Sequence, residues 1–140
     1  MVKKILITGA SGLIGTVLRN NLASYYELSG IDIRPVSDMP SVVADMTDLT
    51  AIEPEFQGID VVIDLAGAAP METSWDVVHR NNLTSTYNAL EAARRGGVSR
   101  VILASSNHAT GMYEKDHPYS AIVAGRYDGL DPTTIPYITT

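Results

Sequence analysis

Thr8-Gly9-Ala10-Ser11-Gly12-Leu13-Ile14-Gly15 lies between a short β-branched run, Lys3 to Thr8, and a stretch from Gly12 to about Tyr26. In that second stretch Leu13, Val17, Leu18 and Leu22 recur at helical spacing. Three glycines in the pattern G-x-x-G-x-x-G therefore sit where a strand hands over to a helix. The first permits a sharp exit from the strand. The second lets backbone approach a phosphate with no Cβ in the way, and the third lets helix and strand pack closely. The N–H groups and positive dipole end of the helix then face an anion. Ser11 adds a hydroxyl. No Lys-Ser/Thr pair follows, which disfavours an ATP-type phosphate loop. A glycine-rich turn with no ligand is the plainer alternative, and the flanking strand and helix weigh against it.

Outward from this loop, strands and helices alternate. Leu28 to Ile33 reads as a second strand and Ser41-Val42-Val43-Ala44 as a shorter third. Thr47 to about Phe56 reads as a brief helix, with Thr47 or Asp48 as its cap and Pro54 near its end. Asp60 to Ala66 is a fourth strand. A long helix starts at Thr73 or Ser74 and runs to about Arg95, where Gly96-Gly97 stops it. Trp75, Val78, Asn82, Tyr87, Leu90 and Ala93 fall on its expected inward side. Arg100 to Ala104 is a fifth strand. Alternation of this kind implies βαβ units with right-handed crossovers. The expected fold is α/β, a Rossmann-type doubly wound parallel sheet of about five strands in the order 3-2-1-4-5, incomplete on one side.

Asp32 closes the second strand, 17 residues after Gly15. A carboxylate there accepts hydrogen bonds from both ribose hydroxyls of NAD and repels the 2′-phosphate of NADP. Arg34, two residues on, is able to pair with that phosphate. Asp32 carries the greater weight because its charge would have to be buried beside the phosphate, so NAD is the expected cofactor. A plain strand-end acid is the alternative reading of Asp32.

Composition narrows the class. With 140 residues, 45% hydrophobic and 19% charged, the chain can build one real core and is no disordered tract. A formal net charge of -6 argues against a nucleic-acid partner. The absence of cysteine removes disulfides, thiolate metal sites and a cysteine nucleophile, and no metal is expected. Lys3-Lys4 is followed only by Ile5-Leu6-Ile7 before Thr8-Gly9, too short for a secretory apolar region, and no run approaches a membrane span. A cytoplasmic location with no membrane partner is the expectation.

The opening motif resembles very closely that of the extended short-chain dehydrogenases/reductases, the NAD-dependent epimerase/dehydratase group. Further landmarks arrive in order over residues 1 to about 113. Ala44-Asp45-Met46-Thr47-Asp48 resembles the segment after the third strand, and implies that Asp45 and Met46 meet the adenine. Leu65-Ala66-Gly67 resembles the turn that lies against the cofactor. Asn82-Leu83-Thr84-Ser85-Thr86-Tyr87-Asn88 resembles the middle of the long helix, with Asn82 at the family's asparagine. With Gly9, Ser11, Gly12, Leu13, Ile14, Gly15, Asp32 and Arg34, these form the implied cofactor site. Ser105-Ser106-Asn107-His108 after the fifth strand resembles the uronate dehydrogenases of that group. The resemblance implies that Ser106 hydrogen-bonds the reacting oxygen. It also implies that Asn107 and His108 hold hydroxyls or carboxylate of a sugar or sugar acid oxidised at C1. A loop histidine that packs or bonds locally is the alternative for His108. The loop after Gly67, Ala68-Ala69-Pro70-Met71, departs from the small hydroxyl residue this resemblance would place there.

Enzymes of this family use a tyrosine phenolate to take the hydroxyl proton. A lysine four residues later lowers the tyrosine's pKa from the same helix face. After Ser106 no such pair exists here: Tyr113, Tyr119 and Tyr127 are followed at that spacing by His117, Val123 and Asp131, Tyr137 by nothing, and the only lysine is Lys115. Two explanations stand. The chain is a fragment that stops before the catalytic helix and substrate domain, or it is a natural half-length NAD-binding sensor or regulatory module. The expected organisation is a single NAD-binding domain over 1–140, with an irregular tail over 106–140. An uncovered sheet face offers a route to homo-oligomers.

Overall fold

The computed structural model describes residues 2–68, 74–106, 120–121 and 124–125. The chain divides into two compact units, Met1–Ala104 and Ser105–Thr140. In the second unit the Ala124 N–H donates to the Ser120 carbonyl at 3.2 Å.

The first unit is a five-stranded parallel sheet in the order β3-β2-β1-β4-β5, the order expected from the alternating pattern. Its strands are β1 (Lys4–Thr8), β2 (Glu27–Asp32), β3 (Ser41–Val43), β4 (Val61–Asp64) and β5 (Arg100–Leu103). The central pairings set Ile5 to Thr8 beside Leu28 to Ile31 on one side and Val61 to Asp64 on the other. Because β1 is buried on both faces, its side chains feed two cores. Leu6 joins Ile31, Val62, Phe56 and Ala89 on one face. Ile5 and Ile7 join Leu28 and Ile63 on the other.

Helix α1 (Leu13–Leu22) covers the second of these cores through Leu18 and Leu22. Leu13 and Val17, which share its apolar repeat, point outward at 84% and 52% exposure. The helix ends at Leu22 rather than near Tyr26. Helix α2 (Leu49–Ile52) continues into a 3-10 turn, Glu53–Phe56, and buries Ile52 and Phe56. Its cap is Asp48, whose carboxylate accepts from the N–H groups of Thr50 and Ala51, both at 3.1 Å.

The helical segment from Trp75 onward corrects the sequence reading. It is built of α3 (Trp75–Val78), a π-helical turn (His79–Thr84) and α4 (Ser85–Gly96). A π-turn closes its bonds one residue later than an α-turn, so it shifts the face that follows. The residues buried in α4 are Ser85, Asn88, Ala89, Ala92 and Ala93. Trp75, Tyr87 and Leu90, expected inside, are 67%, 65% and 47% exposed. Small inward side chains bring α4 close to the sheet, which leaves no room for a tyrosine or leucine there. Gly97, at φ 70°, ends α4 in the left-handed conformation, as Gly96-Gly97 suggested. Thr73, one of the two proposed caps, lies outside the described residues. Ser74 holds the cap position without a side-chain bond.

Candidate functional site

The site forms where the chain crosses from one half of the sheet to the other. From β1 the strands proceed to β2 and β3 on one side, and β4 then returns to the opposite flank of β1. The loops that leave β1 and β4 diverge at that point, and ligands of open α/β sheets bind in such crevices. A groove of about 310 Å³ opens there, lined by Gly9, Gly12, Asp32, Ile33, Arg34, Ala44, Asp45, Met46, Thr47, Leu65, Ala66, Gly67, Asn81 and Ser85.

Two glycines of the loop are fixed by what surrounds them. Gly9 has φ 63°, and a Cβ on it would lie 2.9 Å from the Ala66 nitrogen and the Leu65 carbonyl. No other residue fits between β1 and the turn after β4. Gly15 is buried, and a Cβ there would lie 2.6 Å from the Ala10 carbonyl. Gly12 caps α1 with no side-chain bond, so the first turn keeps its N–H groups for a ligand. Arg19 braces the loop from behind. Its Nε donates to the Ala10 carbonyl at 3.1 Å, and its guanidinium pairs with Asp38.

Asp32 is 7% exposed at the end of β2. One of its oxygens accepts from the Ser11 N–H at 2.8 Å and the other from the Arg34 N–H at 2.9 Å. Burial alone would raise its pKa. The two N–H donors, with the Arg34 guanidinium, outweigh burial and hold the carboxyl below its ordinary value. A carboxylate has about four acceptor positions, so about two remain for ligand hydroxyls. The Arg34 Nε stands 3.9 Å from Asp32, and its side chain is 68% exposed.

Asp45 is held by its neighbours. Its Oδ1 accepts from the Thr47 N–H at 2.9 Å and the Thr47 hydroxyl at 2.8 Å, and its Oδ2 pairs with Arg80 at 3.0 Å. The Thr47 bonds first, then Arg80, hold its carboxyl below the ordinary value. Met46 is buried, and its carbonyl accepts from Asn88 Nδ2 at 3.0 Å.

On the opposite wall, Leu65, Ala66 and Gly67 follow β4. The Leu65 and Ala66 N–H groups both donate to the Thr8 hydroxyl at 3.2 Å. Asn82 closes the next step, accepting from the Ala68 N–H at 2.7 Å and donating to the Ala68 carbonyl at 3.3 Å.

The structure thus gathers Gly9, Gly12, Asp32, Arg34, Asp45, Met46, Leu65, Ala66 and Gly67 around one groove. Ser11 and Gly15 stand behind its lining, and Asn82 anchors the turn rather than the wall. Leu13 and Ile14 are exposed at the start of α1. The sequence reading missed Ile33, Ala44, Thr47, Asn81 and Ser85 on the lining, and Arg19, Arg80 and Asn88 behind it. Thr47, two residues after Asp45, carried a visible signal, since an aspartate bonds the backbone two positions on. Asn81 and Ser85 did not, because the π-turn sets their direction. Ser106 belongs to the second unit and is exposed. Asn107 and His108 lie outside the described residues.

Residues 5–138 match the profile of the NAD dependent epimerase/dehydratase family. The chain is 38% identical over 123 residues to an NAD-dependent glucose-6-phosphate dehydrogenase of Haloferax volcanii, covering 81% of this chain and 47% of that protein. It is 33% identical over 131 residues to a uronate dehydrogenase of Pseudomonas putida, covering 89% and 48% respectively. A variant of uronate dehydrogenase from Agrobacterium tumefaciens, solved in complex with NAD, superposes with a TM-score of 0.71 at 33% identity, covering 78% of this chain and 43% of that one. The chain spans about half the length of the curated relatives it matches.

Proposed function

The chain belongs to the NAD dependent epimerase/dehydratase family, and from that premise we propose that it holds NAD for an oxidoreductase acting on a sugar or sugar acid. The observation that carries the reading is the pairing of Gly9, packed against the turn after β4, with Asp32 on the facing wall of one groove. The residues fit the cofactor. Gly12 and the uncapped first turn of α1 receive its pyrophosphate, and the free acceptor positions of Asp32 receive the adenosine ribose hydroxyls. Ala44, Asp45 and Met46 border the adenine. Leu65, Ala66 and Gly67 support the cofactor from the β4 side. When bound, NAD supplies the hydride acceptor.

The finer reading is oxidation at C1 of a sugar acid, the substrate class named in the uronate dehydrogenase relatives. In it Ser106 bonds the reacting oxygen, and Asn107 and His108 hold the substrate. The experiment is a titration of the 140-residue chain with NAD and NADH by calorimetry, followed by a panel of uronates and aldoses with NADH formation monitored. The expected result is binding of NAD without turnover. No heat at millimolar NAD would defeat the cofactor reading. NADH formation would show that the chain carries a base other than the family's tyrosine.

A further inference from the structure

Asp64 is the one carboxyl of the described residues buried at 1% exposure with an oxygen, Oδ2, that has no hydrogen-bond partner. It ends β4, directly opposite Thr8 in the β1–β4 register. The Thr8 hydroxyl donates to Asp64 Oδ1. That direction is forced. A hydroxyl has two acceptor positions and one proton. The N–H groups of Leu65 and Ala66 occupy both acceptor positions of Thr8. The proton has to leave toward an acceptor, and Asp64 provides it.

The consequence reaches the groove. The two N–H groups gathered by Thr8 are those of the turn that lines the pocket, and Gly9, next to Thr8, packs on the same turn. Resting on the reading of this groove as a cofactor site, we propose that Asp64 is a positioning residue for NAD: it fixes the proton of Thr8, and through Thr8 it fixes the Leu65-Ala66-Gly67 turn against the cofactor. What the role needs is an acceptor oxygen, not a negative charge. Burial raises the Asp64 pKa more than the hydrogen bond from Thr8 lowers it, and no ionised neighbour contributes. Asparagine keeps that acceptor at nearly the same shape without the charge.

Two variants separate positioning from mere stability. Asp64→Asn keeps the acceptor. Asp64→Val removes it, supplies the β-branched shape a strand favours, and eliminates the Oδ2 that lacks a partner. The expected result is an NAD Kd within about twofold of wild type for Asp64→Asn, and one about tenfold higher for Asp64→Val. In Asp64→Val the loss of an acceptor for the Thr8 proton offsets the removal of the unpartnered Oδ2, so the protein should melt close to wild type, and amide exchange at Leu65 and Ala66 should speed up in the absence of NAD. A purely structural role would instead tie lost affinity to lost thermal stability. Should Asp64→Val not fold, Thr8→Ser and Thr8→Val test the same link from the partner, with the serine expected to retain affinity and the valine to lose it. If the wild-type chain binds NAD and Asp64→Val binds it equally well, this inference fails alone. Equal loss in Asp64→Asn and Asp64→Val also overturns it. If wild type does not bind NAD, the cofactor reading falls and this inference with it.

Discussion

The two walls of the groove carry the same residue type at the same kind of position and treat it in opposite ways. Asp32 ends β2 and Asp64 ends β4, and both are nearly inaccessible. Each oxygen of Asp32 meets a backbone N–H, and its carboxyl is held below the ordinary value. Asp64 meets one hydroxyl, keeps an oxygen without a partner, and is pushed above it. Burial acts on both in the same direction, so the difference lies in the number of donors. The β2 wall thereby becomes an anionic acceptor surface for hydroxyls. The β4 wall becomes a support that shapes a turn.

The largest effect should come where the walls meet. Gly9→Val imposes a branched side chain at positive φ and drives a Cβ into the turn after β4. A loss of about 3 kcal/mol or more is expected, read by urea denaturation, and near-native stability would mean that the walls are not in contact. Next is Asp32→Ala, which should raise the NAD Kd about 10- to 100-fold, as for loss of hydrogen bonds to a charged group. Affinity for NADP, whose extra phosphate this carboxylate repels, should fall far less. A parallel drop for both cofactors would remove the discriminating role of the β2 wall.

Third is the pH dependence of unfolding, where the two carboxyls should bend the curve in opposite senses. The folded pKa of Asp32 lies below its reference of 3.8, so its contribution is present above 3.8 and is lost as pH falls through the folded value. The folded pKa of Asp64 lies above 3.8, so its contribution is full below 3.8 and is lost as pH rises through the folded value. Relative to wild type, Asp64→Asn should gain stability toward neutral pH, while Asp32→Asn should lose it there. Curves displaced in the same direction would erase the contrast. The smallest effect belongs to Arg80→Ala. Its pair with Asp45 is exposed on both sides, and unfolding should change by no more than about 0.5 kcal/mol.

The β2 wall was legible in the sequence because its signals are local. Glycines at fixed spacing between a β-branched run and a helical apolar repeat, with an acid at a strand end, need no knowledge of distant residues. The strand order followed from the same alternation, together with the handedness of crossovers. The β4 wall was less legible. Asp64 stands in the apolar run Val61-Val62-Ile63, and nothing in that run says that Thr8, fifty-six positions away, will spend its proton there. The long helix was misread for a different reason. Apolar bulk was taken as the mark of the inward face, but close approach of α4 to the sheet selects Ser85, Asn88, Ala89 and Ala92 instead. Counting at 3.6 residues from Trp75 also runs through His79–Thr84, where that period does not hold.

The six-residue turn at His79–Thr84 works as a phase shifter between two jobs. Within it Asn82 faces the loop after β4, while Ser85 and Asn88 downstream face the groove and the sheet. A π-turn is an α-helix holding one extra residue, so removing one residue from it would restore an unbroken α-helix and leave everything after it on nearly the same face. The alanine seam would stay on the core. The change would fall on the turn itself, where Asn81 lines the groove and Asn82 holds the loop after β4. Chains that share this groove but differ by one residue in the helix should differ in which asparagine meets that loop and which faces the groove.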